Sequence, residues 1–121
     1  GAILRTRSEF PSFIFVASYF APWQGLDKLI ASAKNSEAKF IVHIVGEVSH
    51  EHRTELLRDS RFILHGRLSE NEVRLVAKNC QVGIGPLASE RLGMSESCAL
   101  KVREYLSMGL PVFSVDADIF S

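Results

Sequence analysis

The chain has 121 residues, 46% of them hydrophobic, and its 14 basic residues balance 14 acidic ones. This length suits one compact domain with a real core, and the neutral balance argues against broad electrostatic binding to nucleic acid or to an anionic membrane. Two cysteines are too few for a disulfide framework and no apolar run is long enough to span a membrane, so we expect a cytoplasmic protein without a transmembrane segment.

Five short apolar runs predict five strands. They are rich in Ile, Val and Phe and show little polar alternation, which is typical of strands covered on both faces in a parallel sheet. In chain order these runs are Phe13–Ala17, Phe40–Gly46, Arg61–Gly66, Cys80–Leu87 and Pro111–Val115.

Four helical patterns lie between these runs. The second is polar, with a thin apolar stripe at Leu56 and Leu57. Ser69 followed by Glu72 is the capping-box signature that begins the third helix. Gly109, two residues before a proline, predicts the end of the fourth. The apolar positions of the other three helices are Leu26, Leu29, Ile30 and Ala33, then Val73, Val76, Ala77 and Cys80, then Cys98, Val102, Tyr105 and Leu106.

Alternation of strands and helices predicts an α/β fold, a doubly wound parallel sheet of about five strands with helices on both faces. Ligands of such sheets bind at the carboxyl ends of the strands. We therefore expect the functional residues in the loops that follow the strands, at 18–25, 46–50, 66–70 and 87–97.

Several common site motifs are missing. A dinucleotide-binding fingerprint needs several glycines after the first strand, and only Gly25 is present there. Gly83 and Gly85 lie within the fourth strand pattern, where close backbone packing is the expected role. His43 and His65 lie in strand patterns and are expected to be hydrogen-bonded side chains, and no metal site is indicated.

The start of the fourth helix is the best candidate for ligand binding. Its unpaired N–H groups and positive dipole end suit a diphosphate, which would meet the amides from Ser97 to Leu100. Glu96, just before the helix, and Glu104, whose side chain leans back towards the helix start, can accept hydrogen bonds from sugar hydroxyls. Two acids on either side of a diphosphate suit a nucleotide-sugar. Both can equally be ordinary helix charges, and that alternative stays open.

The stretch "ESCALKVREYLSMGLPV" resembles the E-x7-E region of retaining glycosyltransferases of the GT-B fold. Glu96, Glu104, Gly109, Pro111 and Val112 all fall on that frame. Its portion "LKVREYLSMGLPV" is similar to a variant found in bacterial polysaccharide-type glycosyltransferases. The upstream segments "FVASYFAPWQGLDKLIASAK", "IVHIVGE" and "ILHGRLSENEVRLVAKNCQVGIGPL" follow the family's order, so the resemblance spans nearly the whole chain.

The resemblance implies that residues 1–121 form one nucleotide-sugar-binding domain, the C-terminal half of a two-domain enzyme. Because the chain begins without Met and stops just after a strand pattern, we expect a fragment whose missing N-terminal domain binds the acceptor. The implied reaction is transfer of a sugar from a nucleotide diphosphate-sugar to an acceptor hydroxyl, without a metal or other cofactor. We expect the fragment alone to be inactive, and any peripheral membrane contact to come through the missing half.

The resemblance also implies roles for individual residues. Glu96 would contact the donor sugar as the catalytic residue, and Glu104 would bind the ribose hydroxyls. Arg67 and Leu68 would border the base. The family often has Lys where this chain has Gln24, so a basic residue elsewhere would neutralise the diphosphate. The implied donor-binding set, besides Glu96, is Glu104, Ser97, Cys98, Ala99, Leu100, Lys101, Arg67, Leu68 and Gly25.

Two other functions remain open at this point. A sugar-nucleotide epimerase domain of the same architecture would bind the same ligand, and product analysis separates the two. A non-catalytic α/β binding module would bind no nucleotide. The residues do not specify the base, the sugar, the acceptor, the stereochemical outcome or the oligomeric state.

Overall fold

The computed structural model describes residues 10–85, residue 87 and residues 105–113. Five strands are present in this part of the chain: β1 (Ser12–Tyr19), β2 (Ile41–Glu47), β3 (Phe62–Gly66), β4 (Val82–Ile84) and β5 (Val112–Phe113). Three helices connect them: α1 (Leu26–Lys34), α2 (His50–Leu57) and α3 (Glu70–Ala77). A 3-10 turn at Pro22–Gln24 precedes α1, and residues 105–107 are helical.

All strand pairs in the sheet are parallel, in the order β3-β2-β1-β4-β5. The chain builds outwards from β1 to β3, then crosses back through α3 to place β4 on the other side of β1. The strand order therefore reverses between β1 and β4, which makes their carboxyl ends the topological switch point of the sheet. The predicted doubly wound parallel sheet is confirmed.

The sheet separates two apolar clusters, and helices cover both faces. On the first face, α1 and α2 pack over one set of strand side chains; on the second, α3 and the 105–110 segment pack over the alternate set. The first cluster is Phe15, Ala17, Phe20, Leu26, Ile30, Ala33, Val42, Ile44, Leu56, Phe62, Ile84 and Leu87. The second is Ile14, Val45, Ala77, Cys80, Tyr105 and Leu110.

The predicted stripe on α2 is half wrong. Leu56 is fully buried, whereas 60% of Leu57 is exposed. Consecutive residues of a helix point in different directions, so only one of two adjacent leucines can face the sheet. The burial of Leu56 alone anchors this otherwise polar helix.

The predicted start of α3 is confirmed as a reciprocal capping box. The Ser69 hydroxyl accepts a hydrogen bond from the Glu72 amide at 3.2 Å, and the Glu72 carboxylate accepts one from the Ser69 amide at 2.8 Å. Together these bonds satisfy two backbone donors that a helix start leaves unpaired. They fix the direction in which α3 leaves the loop after β3.

The predicted stop at Gly109 is also confirmed. Gly109 has a φ of 77°, and its amide donates to the Leu106 carbonyl at 3.0 Å. The next amide, that of Leu110, donates to the Tyr105 carbonyl at 3.0 Å. This pair of bonds is a Schellman motif, which ends a helix on a residue in the left-handed conformation.

Gly83 confirms the predicted close packing of β4. A Cβ atom built on Gly83 would lie 2.5 Å from the Tyr105 ring. The ring itself is completely buried. Glycine at this position therefore lets the helical segment at 105–107 sit directly on β4.

Candidate functional site

A cavity of about 520 Å³ opens at the carboxyl edge of the sheet, on the face covered by α3 and the 105–110 segment. It is bounded by the ends of β1 and β2, the loop after β3, the first turns of α3 and the end of the fourth helix. Its lining residues are Val16, Ala17, Ser18, Val45, Gly46, Arg67, Leu68, Glu70, Val73, Arg74, Ser107 and Met108. A cavity of this size is large enough for a drug-sized ligand.

The lining divides into an apolar part and a polar part. Val16 and Val45 come from the sheet, and Leu68, Val73 and Met108 pack against the same cluster. The polar part consists of two serines and three charged residues: Ser18, Ser107, Arg67, Glu70 and Arg74. An apolar floor with a few polar groups is the usual composition of a small-molecule site.

The backbones of β1 and β2 approach unusually closely beside the cavity. Gly46 has a φ of 131°, and a Cβ atom there would lie 1.7 Å from the Ala17 carbonyl oxygen. The regular β1–β2 register also breaks after Val16 and resumes at Tyr19. Only glycine fits at position 46, and its backbone forms part of the cavity lining.

Tyr105 joins the helical side of the cavity to β1. The pairing of β1 with β4 ends where Phe15 lies opposite Ile84. At the next residue, the Val16 amide donates a hydrogen bond to the Tyr105 hydroxyl oxygen at 2.9 Å. The tyrosine thus continues the hydrogen bonding of β1 beyond β4, and it fixes the helix that carries Ser107 and Met108 against the sheet.

The charged side chains at the cavity are loosely held. Arg67 Nε lies 3.9 Å from a Glu47 carboxylate oxygen, and both side chains are largely exposed. Glu70 and Arg74 are one helical turn apart on α3, a spacing that allows an ion pair. Within the described part of the chain, neither of the two makes an ion pair or a side-chain hydrogen bond. All three groups are therefore available to a ligand.

The sequence-predicted site residues are only partly brought together. Arg67 and Leu68 both line the cavity. Gly25 lies apart from it, buried at the start of α1, a helix that packs on the opposite face of the sheet. Gln24 beside it is only 4% exposed, and its Oε1 atom has no hydrogen-bond partner among the residues that the structure describes. The remaining predicted residues lie outside the described residues, and they are Glu96, Ser97, Cys98, Ala99, Leu100, Lys101 and Glu104.

Glu70 ends the predicted functional loop 66–70, but sequence reasoning assigned it no role and missed Arg74, Ser107 and Met108 as cavity residues. A signal for Glu70 and Arg74 was present, because they are four residues apart at the start of the helix that follows the β3 loop. A first-turn acid and a following base are, however, common on any exposed helix. Only the packing of α3 on the sheet distinguishes them.

His43 and His65 confirm the prediction that they are hydrogen-bonded. His43 Nδ1 and His65 Nε2 are 2.9 Å apart, on neighbouring strands. The rings are inclined by only 27°, and their centres are 5.1 Å apart, so the two nitrogens lie between the rings in an edge-to-edge bond. Burial lowers the pKa of both imidazoles, and the charge of His65 lowers that of His43 further.

Other reactive groups in the described residues do not form a site. Burial raises the pKa of the Cys80 thiol to about 12, and its sulfur contacts the Val76 carbonyl oxygen at 3.5 Å, so this cysteine is an inert core residue. Among the residues the structure describes, no three His, Cys, Asp or Glu side chains converge as metal ligands would. None of the helices described here is long and apolar enough to cross a membrane.

The strand order and the cavity define a doubly wound α/β protein with a cavity at the carboxyl edge of its sheet. Residues 10–120 match the family model described as Glycosyl transferases group 1. The chain therefore belongs to the group 1 glycosyltransferases, and it is a GT-B glycosyltransferase domain. No curated protein and no solved structure matches the chain.

Proposed function

We propose that the chain binds the nucleotide diphosphate-sugar donor of a retaining glycosyltransferase, with the nucleoside in the cavity at the carboxyl edge of the sheet. The observation that carries this proposal is the cavity itself. It combines an apolar floor, the weakly paired side chains of Arg67 and Arg74, and the segment at Ser107 and Met108, at the carboxyl edge of a doubly wound sheet. Sites of this kind take nucleotides in many α/β proteins.

The base lies against the apolar side chains that follow β3. Leu68 and Val73 provide a surface for the flat ring, and Arg67 lies at its border. A planar aromatic ring buries apolar area on both of its faces, and backbone groups of the β3 loop can bond its edge. Leu68 and Arg67 therefore keep the roles that the resemblance gives them.

The ribose lies beside the fourth helix, where Glu104 accepts its hydroxyl hydrogen bonds. Ser107 and Met108 both line the cavity. Residues three and four positions apart lie on one face of a helix, so the helical pattern of the sequence puts Glu104 on the face that carries these two. Tyr105 supports this proposal because its anchored ring sets the rotation of the helix.

The diphosphate and the sugar lie towards the start of the same helix. We infer that the amides of Ser97, Cys98, Ala99 and Leu100 meet the phosphate oxygens, and that Glu96 contacts the transferred sugar. Because Gln24 is neutral and buried, the positive charge comes from Arg67 and Lys101. Helix amides and basic side chains then stabilise the leaving diphosphate, with no metal or cofactor required. Gly25 shapes the turn that faces this group.

The complete enzyme also needs an acceptor domain. We propose that residues 1–121 are the donor-binding half of a two-domain, bacterial polysaccharide-type glycosyltransferase that acts in the cytoplasm. Active sites of GT-B enzymes lie between the two halves, as the resemblance implies. The chain alone is therefore expected to bind nucleotide weakly and to show no turnover.

Titration with nucleotides tests the proposal. Millimolar UDP and GDP, and their sugars, are added to the ¹⁵N-labelled chain, and amide shifts near Gly46, Leu68 and Ser107 are followed. Glu104→Gln removes the charge that accepts the ribose bonds, so affinity should fall about tenfold. Glu37→Gln, an exposed acid at the amino edge of the sheet, is the matched control. Absence of shifts with every nucleotide, or equal affinity for Glu104→Gln and the parent, contradicts the proposal.

A further inference from the structure

Glu70 is the one carboxylate among the described residues that line the cavity. It lies in the first turn of α3, where the helix dipole favours a negative charge. The neighbouring acids already have partners, since Glu72 closes the capping box and Glu47 faces Arg67. Glu70 forms no such contact within the described part of the chain.

A carboxylate in this position excludes some ligands and favours others. It can only accept hydrogen bonds, and its two oxygens suit a pair of parallel N–H donors. A phosphate group would be repelled by it and would be drawn to Arg67 or Arg74 instead. The ligand part next to Glu70 should therefore be neutral, planar and rich in adjacent donors.

We propose that the nucleotide is a guanine nucleotide, and that the Glu70 carboxylate accepts hydrogen bonds from guanine N1–H and the N2 amino group. The proposal rests on the proposed function, because it assigns the base of that same donor. Guanine carries two adjacent N–H donors on one edge, and they match the two carboxylate oxygens. Its adjoining edge carries only acceptors, O6 and N7, which suit an arginine.

The other common bases fit this carboxylate less well. Uracil has one N–H between two carbonyl oxygens, and both oxygens would face the negative charge. Adenine and cytosine each have an amino group beside a ring nitrogen that is an acceptor. Each would leave one carboxylate oxygen unpaired or opposed, and an unpaired polar group in a binding site costs affinity.

Three diphosphates test the role of the N2 amino group in the full 121-residue chain. GDP, IDP and UDP are titrated by calorimetry under one set of salt conditions. IDP carries the same ring as GDP but lacks the N2 amino group. The parent should bind GDP about tenfold more tightly than IDP, and UDP more weakly than GDP.

One variant removes the proposed contact with guanine, and a second variant is its control. Glu70→Ala should abolish the preference for GDP over IDP, and it should leave UDP binding unchanged or stronger because the carboxylate no longer opposes the carbonyl oxygens of uracil. Glu51→Ala is the matched control, since Glu51 is a first-turn acid of α2 on the opposite face of the sheet. It should keep the parent's preference.

The outcomes distinguish the two proposals. Nucleotide binding with no preference for GDP over IDP, or a preference that survives Glu70→Ala, overturns the guanine assignment and leaves the donor site in place. Failure of all three diphosphates to bind overturns both.

Discussion

Replacing Tyr105 with Phe should destabilise the protein because the Val16 amide loses its hydrogen bond to the Tyr105 hydroxyl. The ring is completely buried, and phenylalanine keeps it in the space above Gly83. What the variant loses is the hydroxyl oxygen, which accepts the Val16 amide at 2.9 Å. The pairing between β1 and β4 has ended one residue earlier, so no β4 pairing replaces the lost acceptor.

The size of the effect follows from the loss of that acceptor. A buried N–H group without a partner costs about 1–3 kcal/mol, whereas the apolar packing of the ring is unchanged. For a chain of 121 residues, each kcal/mol lowers the melting temperature by about 4 °C. We therefore expect a fall of about 4–12 °C.

Thermal unfolding followed by circular dichroism, with urea unfolding at 25 °C, measures the change. The chain offers a matched control, because its other tyrosine, Tyr19, is 55% exposed. Tyr19→Phe should change stability by less than about 0.5 kcal/mol. If Tyr105→Phe and Tyr19→Phe have the same melting temperature, then the Tyr105 hydroxyl does not stabilise β1 and the anchoring role of Tyr105 is wrong.

Two glycines and one pair of histidines give two more predictions. Gly46→Ala should prevent native folding or lower the urea midpoint severely, because its Cβ would overlap the Ala17 carbonyl. Gly66 has a φ of 69° and a Cβ there would meet no atom within 4 Å, so Gly66→Ala should lower the free energy of unfolding by about 1–2 kcal/mol. Equal urea midpoints for the two variants would contradict this order. Burial lowers the pKa of His43 and His65 in the folded state, so below about pH 6.5 the unfolded chain binds more protons than the folded chain. Urea unfolding at a series of pH values from 7.5 to 5 should therefore show a free energy of unfolding that decreases as the pH falls. The double variant His43→Gln, His65→Gln should lose most of this dependence of stability on pH. If the dependence persists in the double variant, other groups cause it.

The fold followed from the sequence because its signals are local and mutually consistent. Runs of Ile, Val and Phe predicted buried parallel strands, and the capping box at Ser69 and the glycine at 109 predicted helix boundaries that the hydrogen bonds confirm. The Leu57 error arose because α2 carries little periodic apolar signal. Adjacent leucines alone do not say which of them faces the sheet.

Contacts between residues far apart in the sequence could not be predicted from such local signals. Arg61 shows this most clearly, since its guanidinium donates to the carbonyls of Ala33, Ser36 and Ala38 and pairs with Asp59 at 2.7 Å. These bonds join the end of α1 to the start of β3. A single arginine at the beginning of an apolar run gives no local sign of partners 23 to 28 residues away.

The residues of the candidate site divide in the same way, into those with a local signal in the sequence and those placed by long-range packing. Arg67 and Leu68 were predictable because any residue just after a strand lies at the carboxyl edge of the sheet. Glu70 fell at the end of the predicted loop 66–70 without an assigned role, and Arg74 was not predicted, because the place of both at the cavity depends on the direction of α3. That direction is set by the Ser69 cap and by the burial of Ala77 and its neighbours in the second cluster.

The cavity itself results from how the sheet ends. β1 extends beyond its pairing with β4, and its register with β2 shifts after Val16 and resumes at Tyr19. Tyr105 satisfies the Val16 amide just beyond the β4 pairing, and Gly46 lets the β2 backbone approach β1 closely. A ligand that enters there meets an apolar floor already formed and charged groups still without strong partners. Binding energy can therefore go into Glu70, Arg67 and Arg74, the groups that choose the nucleotide, and little is spent on reorganising the fold.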